Sequence, residues 1–161
     1  MENKINNIWA LLRILLGFIF LWAFLDKLLG LGFSTAKEKA WILGGSPTLG
    51  FLINSAGPLS SFYNSIAGHP AANILFMLGL LLIGLSLILG IGIKIASYSG
   101  ILLMFLMWTA VLPPANNPII DDHIIYIFVL IGVLISNAGR YYGLGLRWSK
   151  LKLVKKNKWL E

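Results

Sequence analysis

The chain has 161 residues, enough for one domain, and 58% of them are apolar while only 12% are charged, about half the share of a soluble domain. With a mean hydropathy of +0.83 it cannot coat itself for water. The net charge of +7 does not read as a nucleic-acid module, because the basic residues cluster at one end of a membrane topology instead of interleaving with aromatics. The absence of cysteine excludes thiol redox chemistry, disulfides and iron–sulfur ligation by this chain. Two histidines, His69 and His123, with no further ligands clustered near either, give no expectation of haem or of a metal site.

Four apolar runs approach the roughly 20 helical residues that a bilayer needs. The first is 8–31, too long and without the small-residue cleavage site of a removable signal peptide. The second, 70–91, opens on Pro70, which suits a first helical turn. Gly90, Gly92 and Lys94 make a tight turn into the third, 94–112, which Pro113-Pro114 stops. The fourth is 121–142. Gly79 and Gly84, and the Gly139/Gly143 pair, permit close helix approach.

The longest connection, 32–69, is too apolar for a solvated loop and too broken by glycine and proline to span. Short interfacial helices are expected over 35–43 and 58–67, together capping one mouth of the bundle. The expectation is therefore one all-α membrane domain over 1–161: four transmembrane helices, an outer cap or re-entrant loop between the first two, and a basic tail at 147–161.

Orientation follows from the cations. Lys27, Lys37 and Lys39 fall on the cap side, and the other ten lysines and arginines on the opposite side. The positive-inside rule then places both termini in the cytoplasm of a multi-pass cell-membrane protein, with the cap outside. The tail snorkels along the inner leaflet and binds anionic headgroups.

Ionisable residues are costly in an apolar body and call for a reason. Arg13, Gly17, Phe20, Phe24 and Lys27 share one face of the first span, with Arg13 about 20 Å below Lys27. Either both cations snorkel to headgroups or they serve the bundle interior. Asp26 points elsewhere and reads as an interfacial partner of Lys27. On the fourth span, Asp122, Tyr126 and Arg140 share a face, and His123 lies on the next. Asp121 and Asp122 suit a helix N-terminus as caps. Both beside His123 also make a group able to take up and release protons. The outer mouth is thus expected to gather Lys27, Asp121, Asp122, His123 and Tyr126, with Trp41, Trp108 and Phe24 as an apolar slot for a ring. Arg13 and Arg140, on the inner half, either brace their spans or polarise a carbonyl deeper in the bundle. For His69, before Pro70, a loop or capping role is expected.

These motifs resemble the DoxX/DoxD membrane-protein family, and closely its branch of DoxD subunits of thiosulfate:quinone oxidoreductase. The resemblance runs from Arg13 to Trp148. It rests on Arg13, Gly17 and Lys27, on Trp41-Ile42-Leu43-Gly44-Gly45-Ser46-Pro47 and the residues to Leu52, and on Gly57-Pro58. It continues through Ala67-Gly68-His69-Pro70, where His69 replaces the family's asparagine, then Asn116-Asn117-Pro118, Asp121-Asp122-His123, Tyr126, Asn137-Ala138-Gly139-Arg140 and Gly143-Leu144-Gly145. It implies a four-helix membrane subunit that oxidises thiosulfate to tetrathionate outside the cytoplasm and passes electrons to membrane quinone. It also implies a second, DoxA-like subunit and links to terminal oxidase subunits. The catalytic candidates are His123, Asp122, Asp121 and Lys27; the candidates for holding quinone are Arg13, Trp41, Trp108, Tyr126 and Arg140. The competing expectation is a non-catalytic accessory subunit of a respiratory assembly. A transporter, which would show repeat symmetry and a midplane polar site, is least favoured.

Overall fold

The computed structural model describes residues 2–161, with side chains from Lys4 onward, and is all-helical. Helix α1 (Glu2–Leu29) leads to a cap of two single 3-10 turns, Lys37–Lys39 and Trp41–Leu43, and two short helices, α2 (Leu49–Ile53) and α3 (Ser60–Ile66). The long helices α4 (Pro70–Leu89) and α5 (Ile93–Val111) follow, then α6 (Asp122–Ile135). The tail holds a 3-10 turn at Ala138–Arg140, α7 (Gly145–Trp148), α8 (Lys152–Lys156) and a last turn at Lys158–Leu160.

Three helices, α1, α4 and α5, are long and apolar enough to cross a bilayer, and they mark the chain as a membrane protein. Their outward faces carry bare apolar side chains such as Leu15, Phe18, Leu82 and Leu102, a pattern that suits lipid and not water. The fourth expected span, 121–142, has a shorter helix than expected. Helix α6 has 14 residues, about 21 Å at 1.5 Å per residue, against a hydrocarbon core of about 30 Å. It ends because Asn137 takes a left-handed conformation and the chain folds into the turn at 138–140.

Local chemistry sets the other boundaries. Pro70 occupies the first turn of α4, and His69 caps it by accepting from the Ala71 N–H through Nδ1 at 3.2 Å. Gly90 and Gly92, both at positive φ, close α4 and open α5. Pro113 follows the end of α5 closely. The expected helix over 35–43 is instead two turns, because the extended backbone at Ala40 separates them. The short helix α2 was not expected.

Helices α1 and α4 pack most closely, as do α5 and α6, while the α4–α5 seam is looser. Two glycines explain the first contact. A Cβ on Gly17 would meet the Ile88 backbone at 2.9 Å, and one on Gly84 would meet the Leu21 backbone at 2.8 Å. The core between helices holds Leu16, Phe20, Met77, Leu87, Leu130 and Val133, so the predicted Arg13–Lys27 face of α1 does turn inward. Gly139 and Gly143 are close-packed too, but in the turn after α6, against the carbonyls of Gly90 and Leu89, not as a face between helices.

Candidate functional site

Polar groups gather at three places, and the expected outer cluster divides between two of them. The first is a lateral cavity of about 520 Å³ beneath the cap, bounded by the cap-side halves of α4 and α5. Its walls are apolar: Phe51, Leu52, Leu75, Phe76, Leu103 and Met107 among them. Lys27, Thr48, Tyr63 and Ser99 are its polar lining. Leu75, Leu102 and Leu106 line it and are also exposed on the bundle's flank, so it opens toward lipid along the α4–α5 seam. Gly79 faces it with room to spare: a Cβ there would meet only a Leu103 methyl at 3.8 Å.

The cap is fastened over this cavity by buried hydrogen bonds. Asn73, on the second turn of α4, accepts through Oδ1 from Ser46 Oγ at 3.0 Å, Thr48 N–H at 3.3 Å and Thr48 Oγ1 at 2.6 Å. Tyr63 of α3 donates to the Leu106 carbonyl at 3.0 Å and shares a short hydrogen bond with Thr109 Oγ1. Asp26 is almost fully buried. It accepts from Phe33 N–H at 3.1 Å, Ser34 N–H at 2.9 Å and Ser34 Oγ at 2.6 Å, and so folds the chain back after α1. Asp26 is therefore a loop clip and makes no ion pair with Lys27. Lys27 Nζ reaches only Ser34 Oγ, at 3.4 Å, and among the described residues no carboxylate lies within salt-bridge distance of it.

The second place is the start of α6. Asp121 caps the helix, accepting from His123 N–H at 3.1 Å and Ile124 N–H at 3.4 Å, and its other oxygen lies 2.6 Å from His123 Nδ1. Both side chains are 18% exposed. One carboxylate thus serves as cap and as imidazole partner. Asp122 is exposed, and Tyr126, one turn on, packs against the core. Trp108 donates from Nε1 to the Ile119 carbonyl at 2.7 Å, which ties the loop before α6 to α5. Trp41 and Phe24 pack against the core. The cavity lining includes none of Trp41, Trp108, Phe24, Tyr126 or the acid–imidazole pair.

The third place is the opposite, basic end. The side chain of Arg13 is wholly buried. Nη1 donates to the carbonyls of Leu87 and Ile88, the latter at 3.1 Å; Nη2 donates to those of Tyr141 and Tyr142, both at 3.0 Å. The last-turn carbonyls of α4 have no partners within their own helix. Ser86 accepts from Gly90 and Ile91 N–H, Leu87 and Ile88 from Arg13, and Leu89 from Leu144 N–H at 2.8 Å, so the last turn is satisfied. A guanidinium there also complements the negative end of the helix dipole. Arg13 caps α4 from a neighbouring helix, and it does not snorkel. Arg140 is half exposed, with Nη2 3.7 Å from Glu161.

Sequence reasoning passed over Asn73, Thr48 and Thr109. Each is a lone polar side chain beside or within an apolar run, which was the available signal. Among the described residues no three His, Asp or Glu side chains converge into a metal-binding group. No family model, no curated protein and no solved structure matches the chain.

Proposed function

We propose that this chain is the quinone-binding membrane subunit of an oxidoreductase, with thiosulfate as the electron donor that the resemblance to DoxD subunits implies. The observation supporting it is the lateral cavity: apolar, open to lipid, and lined by one ammonium group that has, among the described residues, no carboxylate within salt-bridge distance. That is the chemistry that suits a ring with carbonyl acceptors and an isoprenoid tail. Lys27 would donate to a ring oxygen, and Leu75, Leu102 and Leu106 would pass the tail out to lipid. A quinone held there would supply a two-electron, two-proton acceptor, which would match the two electrons released when two thiosulfates join as tetrathionate. His123, held by Asp121, would move protons at the cap end, with Asp122 beside it at the surface. Two thiosulfate dianions need cations, and the cap end offers Lys27, Lys37 and Lys39. A DoxA-like second subunit would complete that site. The cation distribution would set the cap outside and both termini in the cytoplasm.

The test is quinone content and turnover in the full chain reconstituted in lipid nanodiscs. The parent should retain quinone after washing, and Lys27→Met should lose most of it. With the second subunit present, His123→Ala should lower thiosulfate-dependent quinone reduction by about 10²-fold, the usual weight of a positioned proton carrier. One observation favours an accessory role in a terminal oxidase assembly: both Asp121 oxygens are already engaged in local structure. A chain that holds no quinone yet co-purifies tightly with oxidase subunits would decide for that role.

A further inference from the structure

We infer that the basic end carries a specific site for one anionic phospholipid, in the groove between α5 and the tail. The groove, about 370 Å³, is lined by Lys94, Tyr98, Leu134, Lys158 and Trp159. It lies away from the cavity under the cap and does not depend on the quinone reading.

Its charge is unbalanced in the direction a phosphodiester requires. Two of its five lining residues are cations, Lys94 and Lys158, and the Glu161 carboxylate, outside the lining, stands 3.9 Å from each. Both distances are too long for a good hydrogen bond, so that side chain closes off neither ammonium. Lys158 is 74% exposed, so its ammonium can turn toward a headgroup. Lys94 is fixed by donating to the Lys158 carbonyl at 2.9 Å, which holds the tail's last turn against the start of α5.

Its shape suits a lipid and not a free anion. Trp159 stacks on Tyr98, with ring centroids 5.2 Å apart and planes at 14°, and forms an aromatic shelf beside the cations. Amphipathic rings of this kind settle at headgroup depth. Below the shelf, Leu134 lines the groove and its neighbour Ile135 is bare on α6, a path for an acyl chain. Basic pockets between membrane helices are the usual seat of anionic headgroups.

The experiment is native mass spectrometry of the full chain, delipidated and then offered phosphatidylglycerol and phosphatidylcholine in equal amounts. The parent should keep one phosphatidylglycerol in clear preference. Lys158→Gln should weaken that adduct about fivefold, the worth of one lysine at an anionic surface. Leu134→Trp, which fills the groove and leaves every charge in place, should remove it. Lys152→Gln, the same charge change in the tail outside the groove, should leave it intact. Equal losses from Lys152→Gln and Lys158→Gln, with none from Leu134→Trp, would mean diffuse attraction to a basic tail and would overturn the site. Displacement of the adduct by inorganic phosphate alone would reduce it to an anion site and would overturn the lipid assignment.

Discussion

The two ends of the bundle solve the same problem in opposite ways. At the basic end, helix termini that finish within an apolar body are sealed by one charged side chain: Arg13 is buried, and four carbonyls from two distant segments converge on its guanidinium. At the cap end the charged side chain, Lys27, has among the described residues no carboxylate within salt-bridge distance, and it borders open volume. A buried cation whose two terminal nitrogens are both engaged by backbone carbonyls is architecture. A cation beside a cavity is available to a ligand. The two lie on one face of one helix, so it is what surrounds each of them, and not residue type, that separates scaffold from site.

Breaking the sealed end should have the largest consequence. Arg13→Ala leaves buried carbonyls unpaired at about 1–3 kcal/mol each, so a loss of at least about 3 kcal/mol is expected, read as a lower thermal midpoint in nanodiscs. Arg13→Lys should recover only part of it, because an ammonium cannot reach both pairs of carbonyls as a planar fork does. An Arg13→Ala protein that melts with the parent would remove the contrast altogether.

The cap's fastening comes next. Asn73→Ala strips the shared acceptor from Ser46 and Thr48, and should cost about 1–3 kcal/mol locally. Amide exchange at 46–52 should quicken while α1 and α4 stay protected. If exchange quickens along α4 as well, the cap is part of the core and not a separate cover.

A smaller effect is expected at the start of α6. Asp121→Ala should cost about 1 kcal/mol as a lost N-cap, whereas Asp121→Asn should keep the cap and change only the partner of His123. Stability and quinone turnover measured on the pair separate the two duties of that carboxylate.

The smallest stability change, and of opposite sign, is expected for Gly79→Leu. Replacing a glycine inside a helix should gain up to about 1 kcal/mol. Filling the cavity should at the same time abolish quinone retention. A Gly79→Leu protein that still holds quinone would mean that the ligand sits elsewhere.

Much of the fold was legible because its signals are local. Pro70, the Gly90/Gly92 pair and Pro113 act on their own backbone, and the expected spans 70–91 and 94–112 became Pro70–Leu89 and Ile93–Val111. The end of α6 was not legible, because an apolar run continues through Asn137 while the backbone turns there to meet Gly90. The extended residue Ala40, which separates two turns where one helix was expected, carried no signal of its own.

For the site, the sequence by itself determined which residues needed an explanation. Few charges in an apolar chain make Arg13, Asp26, Lys27, Asp121 and His123 conspicuous, and periodicity put Arg13 and Lys27 on one face. Only the tertiary structure decided what each of them meets. Arg13 finds its acceptors 74 to 129 residues away, and the cavity beside Lys27 exists because the cap and two other helices close around it. Periodicity is a property of one helix, whereas burial and pairing belong to the space between helices.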